Sequence, residues 1–226
     1  MLGLRAAHYR LVSPLMKPQF LLFPMIHIGS ADYYREVRSR LDGCDVILFE
    51  GVRSVRGKAL TLSYSLMARR KRLGLVTQHE ALRLDECRAE LLHADVTTGE
   101  FVDGWLRIPW HWRIMISIVG PVYGAYRYLT ASRASIAKSL STEDLESREE
   151  ILQSDDIPEF DEAILHRRDA RLVKTIEGVL DGSRESQVIA VIYGAAHMRA
   201  VTRALMGKHR YRVAHSEWLT VFPHEL

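Results

Sequence analysis

Cysteine is nearly absent from this chain. Among 226 residues there are two, Cys44 and Cys87, and neither has a CxxC partner. That excludes a disulfide framework and a thiolate zinc site, and leaves two free thiols in a reducing compartment as the expectation. An excess of one charge is lacking too, since the formal net charge is only +3. Nucleic-acid binding calls for basic residues gathered on one face. The one tight basic run, Arg69-Arg70-Lys71-Arg72, reads as a solvated helix end whose cations suit the C-terminal dipole. No nucleic-acid partner is therefore expected. No apolar run offers the ~20 residues of a comfortable membrane-spanning helix. The N-terminal MLGLRAAHYRLVSPL has neither a long apolar core nor a small-residue cleavage site, so no secretory signal is expected and a cytoplasmic location is. Internal repeats, low-complexity segments and short metal motifs such as HExxH are also missing.

What is present is an alternation of strand-like and helix-like segments in a chain that is 47% hydrophobic. The runs YRLVS (9–13), QFLLFPMIH (19–27), CDVILFE (44–50), RLGLVTQ (72–78) and QVIAVIY (187–193) read as strands, and YRVAHSE and WLTVF as a terminal strand pair. Pro14 and Pro18 suit a hairpin between the first two at a sheet edge. Helical spacing covers 30–41, with Ser30 as cap, then 55–71, 80–92, 158–180 and 195–206. Strands separated by helices imply a single α/β domain over 1–226, with a mostly parallel or mixed sheet flanked by helices.

Three apolar runs end on residues fit for chemistry. QFLLFPMIHIG delivers His27 beside Gly29, DVILFEG delivers Glu50, and QVIAVIYGAAH delivers Gly194 and His197. Ligands of open α/β sheets bind outside the carboxyl ends of parallel strands. Two imidazoles and a carboxylate at one rim would therefore make a site. Each also has a plain structural reading, as a hydrogen-bonded histidine or a loop anchor. Arg168 is the fourth candidate. It is spaced four from Ile164 and Leu172 on a helix whose apolar stripe includes Val173 and Ile176, and an arginine there needs a carboxylate or anionic partner, for which Glu50 would serve. His166, Arg167 and Asp169 are expected to be solvated. Gln78 and His79 are weaker rim candidates, and Asp95 is expected to cap a helix.

Residues 101–130 break the rhythm, holding Trp105, Trp110, Trp112, Tyr123, Tyr126 and Tyr128 around RIMISIVGPVYGAY. A core helix pair kinked at Pro121, an apolar lid or substrate wall, and a peripheral membrane contact or homodimer face through 105–128 all remain open. With the acidic, polar 139–156 that follows, 101–156 reads as a helical insertion or lid.

The segments MIHIGSADYY, DVILFEGV, ADVT, RRDARLV and YGAAHMRAV together resemble the TraB/PrgY/GumN family, within the superfamily that includes Tiki proteases, erythromycin esterases and ChaN haem-binding lipoproteins. That family is marked by two GxxH turns, a glutamate at a strand end and an arginine in a late helix. Gly194 to His197, Glu50 and Arg168 match, and His27 keeps the first turn's histidine. Pro24 stands where the first glycine is expected, and Arg167 where an acidic residue usually precedes the arginine. The resemblance implies an erythromycin-esterase/ChaN-like α/β fold and a metal-dependent hydrolase of peptide or amide bonds. His27, Glu50 and His197 would hold a divalent ion (Zn, Mn or Co) that acidifies a bound water. Arg168 would steady the oxyanion or orient Glu50. Two other readings stay open. One is a metal-independent hydrolase with a histidine base oriented by Glu50. The other is a non-catalytic regulatory protein that binds a peptide or haem, or sits against a membrane through 105–128.

Overall fold

The computed structural model describes residues 3–15, 17–51, 66–140, 165–183 and 185–224. In chain order its strands are β1 (Gly3–Val12), β2 (Gln19–Met25), β3 (Ile28–Gly29), β4 (Val46–Phe49), β5 (Val76–Thr77), β6 (Glu90–His93), β7 (Val188–Gly194) and β8 (Arg212–Pro223). Its helices are α1 (Ala31–Leu41), α2 (Gln78–Leu82), α3 (Thr98–Arg107), α4 (Trp110–Thr130), α5 (Arg133–Leu140), α6 (Arg167–Gly182) and α7 (Met198–Thr202). One sheet of six strands has the order β6-β4-β7-β2-β1-β8, and β3 and β5 form a separate pair. The four strands β6, β4, β7 and β2 are mutually parallel, whereas β1 and β8 are antiparallel additions on one side. The chain is thus an α/β domain with a mixed sheet flanked by helices.

The period of two along each strand splits the core into two layers. Phe23, Met25, Ile47, Ala190 and Ile192 point to one face, where Tyr33, Tyr34, Val37 and Leu41 of α1 cover them. Phe20, Leu22, Leu48, Ile189 and Val191 point to the other, under Leu172, Ile176 and Leu180 of α6. Both faces are covered, which is why these strands are apolar at every position rather than at alternate ones. Each fully buried Leu or Ile on α6 contributes about 2 kcal/mol by removal from water. Local signals fix the helix starts. The Ser30 hydroxyl accepts the Tyr33 N–H at 3.2 Å. Thr97 and Glu100 form a capping box on α3, in which Thr97 Oγ1 accepts the Glu100 N–H and Glu100 Oε2 accepts the Thr97 N–H.

Several elements differ from the sequence expectation. The helix expected over 80–92 is instead the short α2, a 3-10 turn at Leu84–Glu86 and the strand β6. Arg83 ends α2 in the left-handed region, at φ 44°, and the ladder to β4 claims Glu90–His93 for the sheet. Tertiary pairing here overrides a helical periodicity. Only Val76–Thr77 of 72–78 is strand. The terminal strand pair is one strand, β8, with register shifts against β1 that let it follow the twist. β8 also takes the sheet edge that the β1–β2 hairpin was expected to hold. Pro24 is accommodated in β2 because the ladder to β1 covers Phe20–Leu22 and stops before it. The expected helix over 55–71 and the start of the one over 158–180 fall largely outside the described residues. So does the latter part of the 101–156 insertion.

α4 is one helix that runs through Pro121, and the break falls before it, at Ile108 and Pro109. The core reading of this stretch fails: Trp110, Ile114, Ile118, Val122 and Leu129 are all at least half exposed. Among the described residues no helix is long and apolar enough to cross a membrane.

Candidate active site

The order β6-β4-β7-β2 brings four strand C-ends to one rim. Asp95 follows β6, Glu50 follows β4, Gly194 closes β7 just before His197, and His27 follows β2. The chain leaves β2 through α1, which packs on one face, and returns from β6 to β7 through α6 on the other. β7 therefore slots between β2 and β4, and crossovers departing on opposite faces open a crevice at the strand ends.

Arg168, in the first turn of α6, reaches these strand ends and ties two of them together. Its Nη2 donates to Glu50 Oε1 at 2.5 Å and to Asp95 Oδ2 at 2.8 Å, and its Nε donates to Asp95 Oδ1 at 2.9 Å. Asp95 is fully buried and also accepts the backbone N–H groups of Gly51 and Val96, at 3.1 and 2.8 Å. It is not a helix cap, for Thr97 holds that position. Burial by itself would raise the Asp95 pKa, but the hydrogen bonds and charge of Arg168, with the Val96 N–H, outweigh it and hold the carboxyl below its usual range. The same carboxylates overcome burial at Arg168 and hold its guanidinium more firmly protonated. Tyr193 lies beneath, with the Arg168 Cζ 5.6 Å from its ring centroid. Burial pushes its phenol well up, and its hydroxyl is near enough to Asp95 to feel the carboxylate but makes no hydrogen bond of ordinary geometry.

Glu50 is held from the other side by Gly194, whose N–H donates to Oε2 at 2.5 Å. Gly194 has φ −53°, a value open to any residue. The tight turn expected from its glycine is therefore not the reason for it. A Cβ there would lie 3.1 Å from Glu50 Oε2, so glycine is required for the close approach of the carboxylate. His197, 4% exposed, packs edge-on against Tyr193. Its Nδ1 lies 2.7 Å from Asp169 Oδ1. Asp169, expected to be solvated, is thus the partner of His197. Its position next to Arg168 on the helix was the available signal, since consecutive helical residues sit about 100° apart and flank the same crevice.

His27 is half-buried, and its carbonyl accepts the Gln78 N–H at 2.9 Å. Gln78 and His79 belong to α2, which follows the separate β3–β5 pair. Among the described residues no group of three or more His, Cys, Asp or Glu side chains comes together to hold a metal ion. The donor chemistry explains this. Both oxygens of Glu50 and both of Asp95 are already engaged, and the cation between them is the Arg168 guanidinium. The residues do not fit a divalent ion.

Two atoms at the rim keep free valence. Among the described residues, Arg168 Nη1 and His197 Nε2 make no hydrogen bond, although the rest of each polar group is engaged. The Tyr193 ring lies against both the guanidinium and the imidazole. In comparisons with known proteins, no family model, curated protein or solved structure matches the chain. The resemblance to the TraB/PrgY/GumN family rests on its motifs alone.

Proposed function

We propose that the chain is a metal-independent hydrolase of amide or ester bonds in a peptide or small-molecule substrate, with His197 as general base. The observation that carries this reading is the Asp169–His197 contact at 2.7 Å. A carboxylate at Nδ1 favours the tautomer with hydrogen there and leaves the Nε2 lone pair to accept a proton. In the step proposed, Nε2 takes a proton from water as the water oxygen bonds to the substrate carbonyl carbon. The carbonyl π electrons move to oxygen, and Arg168 Nη1 donates to that oxyanion. The imidazolium then returns the proton to the leaving nitrogen or oxygen as its bond to carbon breaks. Glu50 and Asp95 are positioning residues, fixing the guanidinium plane from two strands.

The test is turnover of a panel of fluorogenic amides, peptides and nitrophenyl esters by the whole chain and by His197→Gln, Asp169→Asn and Arg168→Lys. A fall of about 100-fold or more in kcat for His197→Gln, with retained fold, is expected for loss of a general base. Wild-type activity should survive exhaustive chelation. Unchanged turnover in His197→Gln refutes the reading, and so does activity abolished by chelator and restored by Mn²⁺ or Zn²⁺.

A further inference from the structure

α4 presents a feature that the crevice does not use. Trp110, Ile114, Ile118, Val122 and Tyr126 recur every four residues, with Leu129 three beyond, and all are exposed, Trp110 at 68% and Leu129 at 72%. The opposite side of the helix carries the half-buried Trp112 and Ile116, which pack on Trp105 and Ile108. The helix is therefore docked by one edge and carries an exposed apolar stripe along its 21 residues, a length of about 32 Å. The stripe carries an indole and a phenol among aliphatic side chains. Aromatic rings of this kind favour the headgroup level of a bilayer.

Charge completes the pattern. Between Asp103 and Glu143 the sequence has no acidic residue but contains Arg107, Arg113, Arg127, Arg133 and Lys138. The basic run left without a role in the sequence is brought to the C-terminal end of α4. Arg70 Nη1 donates to the Ala131 carbonyl at 3.2 Å, and its guanidinium lies 5.7 Å from the Tyr128 ring centroid. Arg69, Lys71 and Arg72 around it are exposed, and Arg107 is exposed at the other end. Among the described residues 104–140, a twofold contact between copies would set cations against cations, with no carboxylate of that stretch to meet them. An anionic surface with an apolar interior complements both the charge and the stripe.

We propose that α4 is an interfacial helix that seats the chain on an anionic phospholipid bilayer, lying in the plane of the surface with its stripe in the acyl boundary and the Arg69–Arg72 run against the headgroups. The inference stands independently of the hydrolase reading.

The experiment is co-sedimentation of the whole chain with vesicles of phosphatidylcholine alone and of phosphatidylcholine with about 30% phosphatidylserine. Two variants accompany it, I118E/V122E and R69E/K71E/R72E, with size-exclusion light scattering run in parallel. All five positions are exposed, so circular dichroism melts should be unchanged. Binding to the anionic vesicles is expected, with at least about tenfold less to neutral ones and at least about tenfold less for each variant. Brominated lipids should quench tryptophan emission in the wild type and not in Trp110→Phe. No binding to anionic vesicles overturns the proposal. So does equal binding by I118E/V122E, or a dimer without vesicle binding that I118E/V122E dissociates.

Discussion

Replacing Arg168 with methionine tests the electrostatics of the crevice most directly. Methionine keeps much of the side-chain volume over Tyr193 but removes the three guanidinium hydrogen bonds to the two carboxylates. Asp95 would remain fully buried with its two backbone donors and no countercharge. Removing one member of a buried ion pair costs about 3–5 kcal/mol because it strands the other. For a chain of this size that is a fall in Tm of about 6–20 °C, at about 2–4 °C per kcal/mol. The pH dependence gives a second, independent sign. In the wild type the Asp95 pKa is depressed, so its stabilisation is present above the unfolded value of about 3.9 and is lost as pH falls through the lower folded value. In Arg168→Met, burial acts without the cation and the pKa moves up. Stability should then be greatest in acid and fall as pH rises through the raised value. Urea midpoints at a series of pH values from about 3 to 7 read both effects. Adding Asp95→Asn should recover part of the loss, since the stranded charge goes with it. A loss below about 1 kcal/mol would refute the reasoning, as would a pH slope of the same sign in variant and wild type.

Two further substitutions probe the packing around the sheet. Gly194→Ala should cost about 1–3 kcal/mol through overpacking, because the new Cβ would sit 3.1 Å from Glu50 Oε2. Its backbone φ is acceptable to alanine, so G194A/E50A should be no less stable than E50A alone, and an additive loss in a thermal-melt cycle would show the clash is not the cause. His8 is buried against Phe23 and Tyr33 with neither ring nitrogen partnered, and burial lowers its pKa to about 4. The unfolded chain therefore binds the proton first as pH falls from about 6.5, and up to about 3 kcal/mol of stability is lost by pH 4. His8→Leu should stabilise the protein at neutral pH and flatten that limb of the stability profile, and an unchanged limb would show that His8 does not titrate there.

The sequence was informative wherever a residue's role followed from its own neighbours. The capped α1, the strands around Leu22, Ile47 and Val191 and the placement of Arg168 on the buried side of α6 all follow from spacing of three, four or two. Where roles depended on the sheet order, spacing was silent. Nothing in RAELLHADV says that Glu90–His93 pairs with β4, and without that pairing Asp95 has no reason to stand beside Glu50. Asp169 stands next to Arg168 in the sequence, but its partner does not. It lies off the apolar stripe, and only the insertion of β7 between β2 and β4 brings His197 across to it.

The same order explains why a ligand-like set of residues need not hold a ligand. Glutamate, aspartate and histidine at adjacent strand ends are what a divalent ion requires, and in sequence they are indistinguishable from such a set. What separates the two cases is which lone pairs are already taken. Here Gly51, Val96 and Gly194 donate from the backbone, and Arg168 supplies the positive charge. A metal would have to displace a guanidinium that both carboxylates hold, at the cost of stranding a buried cation. The two carboxylates are thus already paired within the chain. What remains is directional: Nη1 of Arg168 and Nε2 of His197, held by separate hydrogen bonds. A reaction that develops negative charge on one atom while releasing a proton from another uses both at once, and hydrolysis of a carbonyl bond is such a reaction.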